Sequence, residues 1–570
     1  MKKINLLLIQ ICFLITFVSG ENSNKWAHNT SDLKPDPSVT FGVLKNGIRY
    51  AIMPNSEPPK RISMRLFVDA GSLMESKEQQ GLAHFIEHMA FNGTKNFPAG
   101  EMVEYFQRLG MSFGGDTNAH TSFQATVYKL ELPKPEKEMI ERAMLLFRDY
   151  ADGMLMSNEE IEKERGVILS ELITRDSAEW RTQKEAYKFA LPDSLISKRF
   201  PIGTKKVIKG AGRSQFMNFY TKWYTPDRMA IVVVGDVVPK TVIPIIEKHF
   251  SAMEPPKVLN ADPNLGEITV GRGIITKTHY EKEASETNVS IEVVNPYSWE
   301  PDNTNKNIKS LKLLIANSII NNRISEITKK KGTVITGGGS YAQDFLDFAK
   351  FASIYVTCEP ENWEGGLSVA EQEIRRVLNY GFNESEFNEV RANFLNAYEQ
   401  ANRSSSSRKS RSLADSLTRS ISMKKVFSSP EQDLNWITKN ISSMDKESCH
   451  DELKSAWKSE DRQIFIGGNI ELTKADNKII EVYKKSVSTK IEALKDEGQS
   501  EFAYRAFGAP GKVVERVQDD SIGVTQIRFD NNVRLNIKKT DYSKDSIIIG
   551  ARIGAGMLSC LLYTSPSPRD

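Results

Sequence analysis

The sequence predicts an α+β protein made of tandem α/β domains, two complete and a third just begun. Three observations carry this reading. Strand and helix periodicities alternate from residue 41 to about 480. A proline-rich run, Pro255 to Pro263, interrupts them near the middle, and the hairpin-plus-strand pattern at the front of the chain returns at its end at a constant spacing.

The bounds come from composition. The chain has 570 residues, 39% hydrophobic and 26% charged, the balance of a globular protein long enough for several cores. Its 76 basic and 73 acidic side chains leave a net charge of +3, so nothing points to a nucleic-acid footprint. Met1 to Gly20 opens with Met-Lys-Lys, continues with an apolar run from Ile4 to Val18 and ends on small residues. That is the pattern of a signal peptide, placing the mature protein in the periplasm or outside the cell; the alternative is a membrane anchor. No other stretch is apolar and long enough to span a bilayer, so no stable membrane association is expected once the signal is removed. Cys358 and Cys449 are the cysteines of the mature body, enough for at most one bridge.

From the N-terminus, residues 41–54 read as a hairpin with Asn46-Gly47 at its turn, and 61–70 as a second strand. Ser76 followed by Gln79 forms a capping-box pattern and Gly93 is a stop residue, which predicts a helix over 77–92. On it His84 and His88 are four residues apart and Glu87 is three on from His84, so two imidazoles and a carboxylate share a face. Neutral imidazole is a good zinc ligand, and a hydrolytic zinc site needs a carboxylate to take a proton from water. His-x-x-Glu-His is the inverted form of the better known zinc peptidase motif; the bland alternative is a pair of satisfied core histidines.

A helix around 101–109, a turn at Gly114-Gly115 and one strand over 118–130 follow. Residues 157–175 then read as a helix capped by Ser157 and Glu160, with Ile161, Ile168 and Leu172 as its apolar stripe. Glu164 and Glu171 lie two turns apart and point the same way, which alone is more often a solvated edge than a site. A continuous apolar strand, 230–234, closes the first unit near residue 255.

The second unit carries predicted helices at 307–329, 363–379 and 384–402, a strand at 350–356, a turn at Gly337-Gly338-Gly339 and a polar loop at 404–412. Residues 485–519 read as linker. Leu44 to Arg49 then matches Phe529 to Arg534 at an offset of 485, as does Ala70-Gly71 with Ala555-Gly556. The last ten residues cannot continue such a domain, so the chain is expected to stop just inside a second half.

Four ordered stretches, His84 to Thr94, Asn118 to Ser122, Glu164 to Glu171 and Trp223 to Asp236, together resemble the pitrilysin or insulinase family of zinc metallopeptidases, the inverzincins. The resemblance implies the pitrilysin/LuxS-like metallohydrolase fold, each domain a mainly antiparallel sheet packed with helices. It implies a zinc ion held by His84, His88 and Glu171, a zinc-bound water activated by Glu87, and Glu164 as a supporting acid. The spacing from His88 to Glu171 is 83 positions, longer than is usual for the family, which leaves Glu164 open as the third ligand and is attributed to a loop insertion between Leu132 and Ser157. Asn118, Ala119 and Thr121 resemble the edge strand that pairs with an extended substrate peptide.

The domains expected are a signal peptide (1–20), a catalytic domain (21–255), a non-catalytic domain (265–485), a linker (486–524), the start of a third domain (525–557) and a non-native tail (558–570). The function implied is a zinc metalloendopeptidase acting on peptides; the rival is a silent family member serving as a scaffold. By the same resemblance the missing C-terminal half is the natural partner, and the chain is expected to bind zinc but cleave poorly.

Overall fold

The computed structural model describes residues 25–554 apart from 109, 113, 473, 497, 499–503, 505 and 542–546. The expected signal segment and non-native tail lie outside the described residues. Contacts divide the chain into two units, one built from residues up to 398 with 408–499, the other from 399–407 with the residues from 500 on.

The first unit holds two sheets. β1 (Thr40–Val43), β2 (Arg49–Pro54), β3 (Ile62–Val68), β4 (Thr117–Thr121), β5 (Thr126–Leu132) and β6 (Met229–Gly235) lie in the order β1-β2-β6-β3-β5-β4. Only β2 and β6 run parallel, so the sheet is mainly antiparallel, and β4 is an edge strand bonded to β5 alone. β7 (Ile274–Tyr280), β8 (Thr287–Pro296), β9 (Gly337–Phe345), β10 (Ala349–Cys358) and β11 (Arg462–Gly468) form the second sheet in the order β7-β11-β8-β10-β9, again with one parallel pair, β7 with β11. The second sheet as a whole repeats the order of the first from β2 on, with β7 in the place of β2 and β11 in that of β6.

Helices α1 (Leu82–Met89), α2 (Glu101–Arg108), α3 (Lys137–Asp152), α4 (Asn158–Thr174), α5 (Ala178–Ala190), α6 (Lys205–Gly210), α7 (Arg213–Trp223) and α8 (Pro239–Phe250) accompany the first sheet. The second is joined by α9 (Thr304–Thr328), α10 (Trp363–Tyr380), α11 (Glu384–Arg403), α13 (Pro430–Ile441), α14 (Lys446–Ala456) and α15 (Ala475–Ser488), whereas α12 (Ser410–Ser422), between α11 and α13 in sequence, packs on the first sheet. Leu66 and Tyr128 of the first sheet pack against Phe85, Ile86, Phe147 and Phe216 on one face. On the other, Ala51, Phe67 and Val232 meet Leu413, Ala414 and Leu417 of α12. Every residue of β3 and β6 is buried, as both faces of the sheet are covered. Arg65 of β3, with no exposure, is held by Glu131 at 2.7 Å and by Asp415 of α12 at 3.0 Å, pairing its charge where water is excluded.

The structure differs from several expectations. The strand read over 118–130 is two strands, β4 and β5, joined at 122–125. The segment between Leu132 and Ser157 is not a loop insertion but mainly α3, whose Met139, Ile140, Ala143, Phe147 and Tyr150 are buried. Gly337 to Gly339 open β9 rather than turn: a Cβ on Gly338 would come within 2.5 Å of Tyr355 O, so the close strand approach explains the glycine. Residues 404–412 are in part helical, with α12 starting at Ser410, and the expected linker contains the end of α15 and a strand. Cys358 and Cys449 are free and buried, so no bridge forms.

The second unit contains β12 (Val513–Asp519), β13 (Val524–Phe529) and β14 (Arg534–Lys538) in a three-stranded meander. Its pairs Thr525↔Ile537 to Arg528↔Arg534 fall 485 residues after Thr40↔Ile52 to Val43↔Arg49 of the first hairpin. The turn bonds repeat too. Phe529 N–H donates to Val533 O and Asn532 N–H to Phe529 O, as Leu44 N–H does to Ile48 O and Gly47 N–H to Leu44 O. Both turns need a left-handed residue, Gly47 (φ +100°) and Asn532 (φ +64°), and glycine and asparagine are the types that accept it.

Candidate metal centre

The helix carrying the histidines starts later than its capping pattern predicts. Ser76 and Gln79 do form a capping box, but around a single 3₁₀ turn, Lys77–Gln79; the chain then passes through Gly81 (φ +101°) before α1 begins. Gly81 is required twice over, since a Cβ there would also lie 2.9 Å from Gly203 Cα. The N-terminus of α1 is capped instead by Glu75, whose carboxylate accepts from Gly81 N–H at 3.0 Å and Ala83 N–H at 2.9 Å. Burial pushes the Glu75 carboxyl well above the usual range, against these two bonds. Glu75→Ala would strand both donors in a buried place and is expected to destabilise the fold by about 1–3 kcal/mol, read as a lowered Tm.

α1 is apolar nearly all round, with Leu82, Ala83, Phe85, Ile86 and Met89 buried, so His84 (4% exposed) and Glu87 (6%) are carried inward with them. α4 packs across it, its Ile161 and Ile168 buried and Ser157 capping its start by accepting from Glu160 N–H at 3.3 Å. Glu164 and Glu171 therefore face α1 together. Glu171 Oε2 lies 3.6 Å from His84 Nε2 and 3.4 Å from His88 Nε2, and the three ligand-type atoms fall within 4.8 Å of one another. Glu164 Oε1 instead bonds His88 Nδ1 at 2.8 Å, on the far side of the ring. The structure thus brings Glu171, not Glu164, to the shared space between the imidazoles.

Two contacts that local spacing did not reveal complete this arrangement. Asn92 Nδ2 donates to Glu164 Oε2 at 2.7 Å, and Arg175 Nη2 lies 2.5 Å from Glu171 Oε1. Arg175 is four residues after Glu171, a spacing that could have been read; Asn92 to Glu164 spans 72 positions and could not.

The charges differ from residue to residue. Burial lowers His84 to about 4, so this imidazole is neutral at ordinary pH. Burial also opposes charge on His88, but hydrogen bonds to Glu164 and Glu171 outweigh it and raise the ring to about 9. The contact from His88, helped by its charged surroundings, lowers Glu171 to about 2. Burial raises Glu87 to about 7, with a hydrogen bond from Thr121 working the other way.

The donor set fits zinc. Two imidazole Nε2 atoms and one carboxylate oxygen are three ligands of the right kind, and Glu164 on Nδ1 turns the other nitrogen of His88 toward the shared space. His84 Nδ1 is buried without a hydrogen-bond partner among the described residues, so only one of the two rings is held from behind. Glu164→Gln, acting through His88, is expected to weaken zinc binding about 10- to 100-fold, measured by competition with a chromogenic chelator.

The strand residues lie beside this cluster. Asn118 and His120 of β4 are exposed while Ala119 and Thr121 are half-buried on the α1 side. Thr117 N–H bonds Ser112 O and Ala119 N–H bonds Asn118 Oδ1 at 2.7 Å, rather than β5. By strand alternation Thr117, Ala119 and Thr121 turn their backbones to the open edge. Thr121 Oγ1 donates to Glu87 Oε2 at 2.7 Å.

The model of the insulinase domain (peptidase family M16) matches residues 50–191, and that of the M16 inactive domain matches 211–394, which together take in more than half the chain. The chain belongs to the insulinase family, M16. Within the family it is 28% identical over 436 residues to the probable zinc protease PqqL of Escherichia coli, covering 75% of this chain and 46% of the relative. A zinc protease PQQL-like protein of Arabidopsis thaliana is 26% identical over 520 residues, covering 89% and 50%. The crystal structure of the first half of the E. coli periplasmic protease PqqL superposes with a TM-score of 0.74 at 26% identity, covering 81% of this chain and 99% of that one. The chain spans about half the length of the curated M16 relatives it matches. The mainly antiparallel sheets packed with helices are the M16 fold.

Proposed function

We propose that this chain carries the zinc site of a metalloendopeptidase that hydrolyses extended peptides in the periplasm or outside the cell. One observation carries the reading: His84 Nε2, His88 Nε2 and Glu171 Oε2 face one another from two helices, with the buried carboxylate of Glu87 on the same face of α1. His84, His88 and Glu171 would hold the metal, and Glu164 would orient His88. A zinc ion bound there supplies Lewis-acid activation of water and of the scissile carbonyl. Glu87 takes the proton from the attacking water and returns it to the leaving amine, a role that suits a carboxyl raised by burial toward neutrality.

The peptide lies antiparallel or parallel along the open edge of β4, its main chain bonded to Ala119 and Thr121, with Asn118 at the rim. Such strand addition reads backbone before side chains and suits broad specificity. The match of residues 211–394 to the M16 inactive domain supports a non-catalytic role for the domain of the second sheet. β13 and β14 are the opening of a third domain built as the first is, supported by their shared register. That the E. coli relative PqqL is a periplasmic protease supports the proposed location. Among the described residues no helix is long and apolar enough to cross a membrane.

The test is metal analysis together with peptide cleavage by the purified chain. One zinc per chain is expected, with slow hydrolysis of an unstructured peptide that stops on chelation and returns on adding zinc. Zinc-independent cleavage, or stoichiometric zinc with no hydrolysis even in a chain carrying the full length of its relatives, would overturn the peptidase reading.

A further inference from the structure

We infer that Thr121 is a positioning residue for Glu87, so that one residue serves both the peptide edge and the general base. The inference rests on the peptidase reading above and deepens it.

Three observations support it. Thr121 is the only hydrogen-bond donor to the Glu87 side chain among the described residues, at 2.7 Å from Oε2. The carboxylate is the nearer and stronger acceptor for the Thr121 proton: Glu87 Oε2 lies at 2.7 Å, whereas Thr126 Oγ1 is 3.4 Å away. Glu87 is buried, and among the described residues its side chain has this one bond, to one oxygen, so its carboxylate plane depends on Thr121 for direction.

The second half of the inference is placement. Thr121 is the last residue of the edge strand, and its backbone turns outward while its hydroxyl turns inward to Glu87. A peptide bonded to that backbone is therefore registered by the same residue whose hydroxyl holds the base. The base and the substrate are located by the same residue, which shortens the chain of contacts over which positional error builds up.

The test compares Thr121→Val and Thr121→Ser in the zinc-loaded protein. Thr121→Val is expected to lower kcat about 10- to 100-fold with KM within about twofold, since a misplaced base affects the chemical step. Zinc stoichiometry and Tm should match the unsubstituted protein. Thr121→Ser, which keeps the hydroxyl, should recover kcat to within about threefold of it. A raised KM with unchanged kcat in Thr121→Val would make Thr121 a peptide contact only and overturn the proposal, as would a serine variant as slow as the valine one.

A second readout needs no turnover. In isotope-edited infrared spectra the carboxylate band of Glu87, identified by its loss in Glu87→Gln, should shift in Thr121→Val and stay in place in Thr121→Ser. A band unmoved by valine overturns the inference. If the band shifts as expected while the protein shows no chelator-sensitive hydrolysis, the peptidase reading fails and the Thr121 contact stands, so the two failures are distinct.

Discussion

Replacing Glu87 by Gln is expected to lower kcat/KM for peptide hydrolysis by about 10²- to 10⁴-fold while leaving one zinc per chain. The amide matches the carboxylate in size and can still meet Thr121, so the fold and the three metal donors are undisturbed. What is lost is the ability to take a proton. Burial lifts the Glu87 carboxyl to about 7, and a cation on the neighbouring donors would draw it down, leaving it ionised as a base must be near neutral pH. Steady-state kinetics beside metal analysis would check this, and a variant that loses zinc along with activity would show that Glu87 acts on the site's assembly.

The second large effect is in metal affinity and its pH dependence. His88→Ala would remove one of the three proposed ligands together with the ring that Glu164 bonds, and is expected to abolish stoichiometric zinc binding. In the intact protein the sign follows from His88, raised to about 9 by its two carboxylate partners. At neutral pH this ring holds a proton that zinc must displace. Affinity should therefore rise with pH, about tenfold per unit, until about pH 9, rather than level off near the ordinary imidazole value of about 6.5. His84, lowered to about 4, and Glu171, lowered to about 2, are already in their binding forms and add no slope over that range. Calorimetry in buffers of different ionisation enthalpy should count more than one proton released per zinc at neutral pH, one from His88 and a fraction from Glu87.

The parts of this site legible in the sequence are those written in short helical spacings. His84, Glu87 and His88 share a face because they are three and four residues apart, and Glu164 and Glu171 because they are seven apart. That the two helices meet through these faces came only from the family resemblance, since no local pattern encodes the packing of α4 on α1. Long-range contacts were invisible for the same reason: Thr121 to Glu87 spans 34 positions, and Arg65 to Asp415 spans 350. Glu75 was hidden because the Ser76 capping box, itself real, drew the helix start forward to the wrong turn. α3 is legible in the sequence, since Met139, Ile140, Ala143, Met144 and Phe147 recur at helical spacing between Leu132 and Ser157. Gly337 to Gly339 mislead, because glycine marks a close strand approach as readily as a turn.

The most direct test of the central claim, that His84, His88 and Glu171 hold one cation between two helices, is zinc-edge anomalous diffraction from crystals of the zinc-soaked protein and of Glu171→Ala. One anomalous peak within bonding distance of all three side chains, absent from the variant, is the expected result. A peak elsewhere, or one of equal height at the same place in Glu171→Ala, would contradict it.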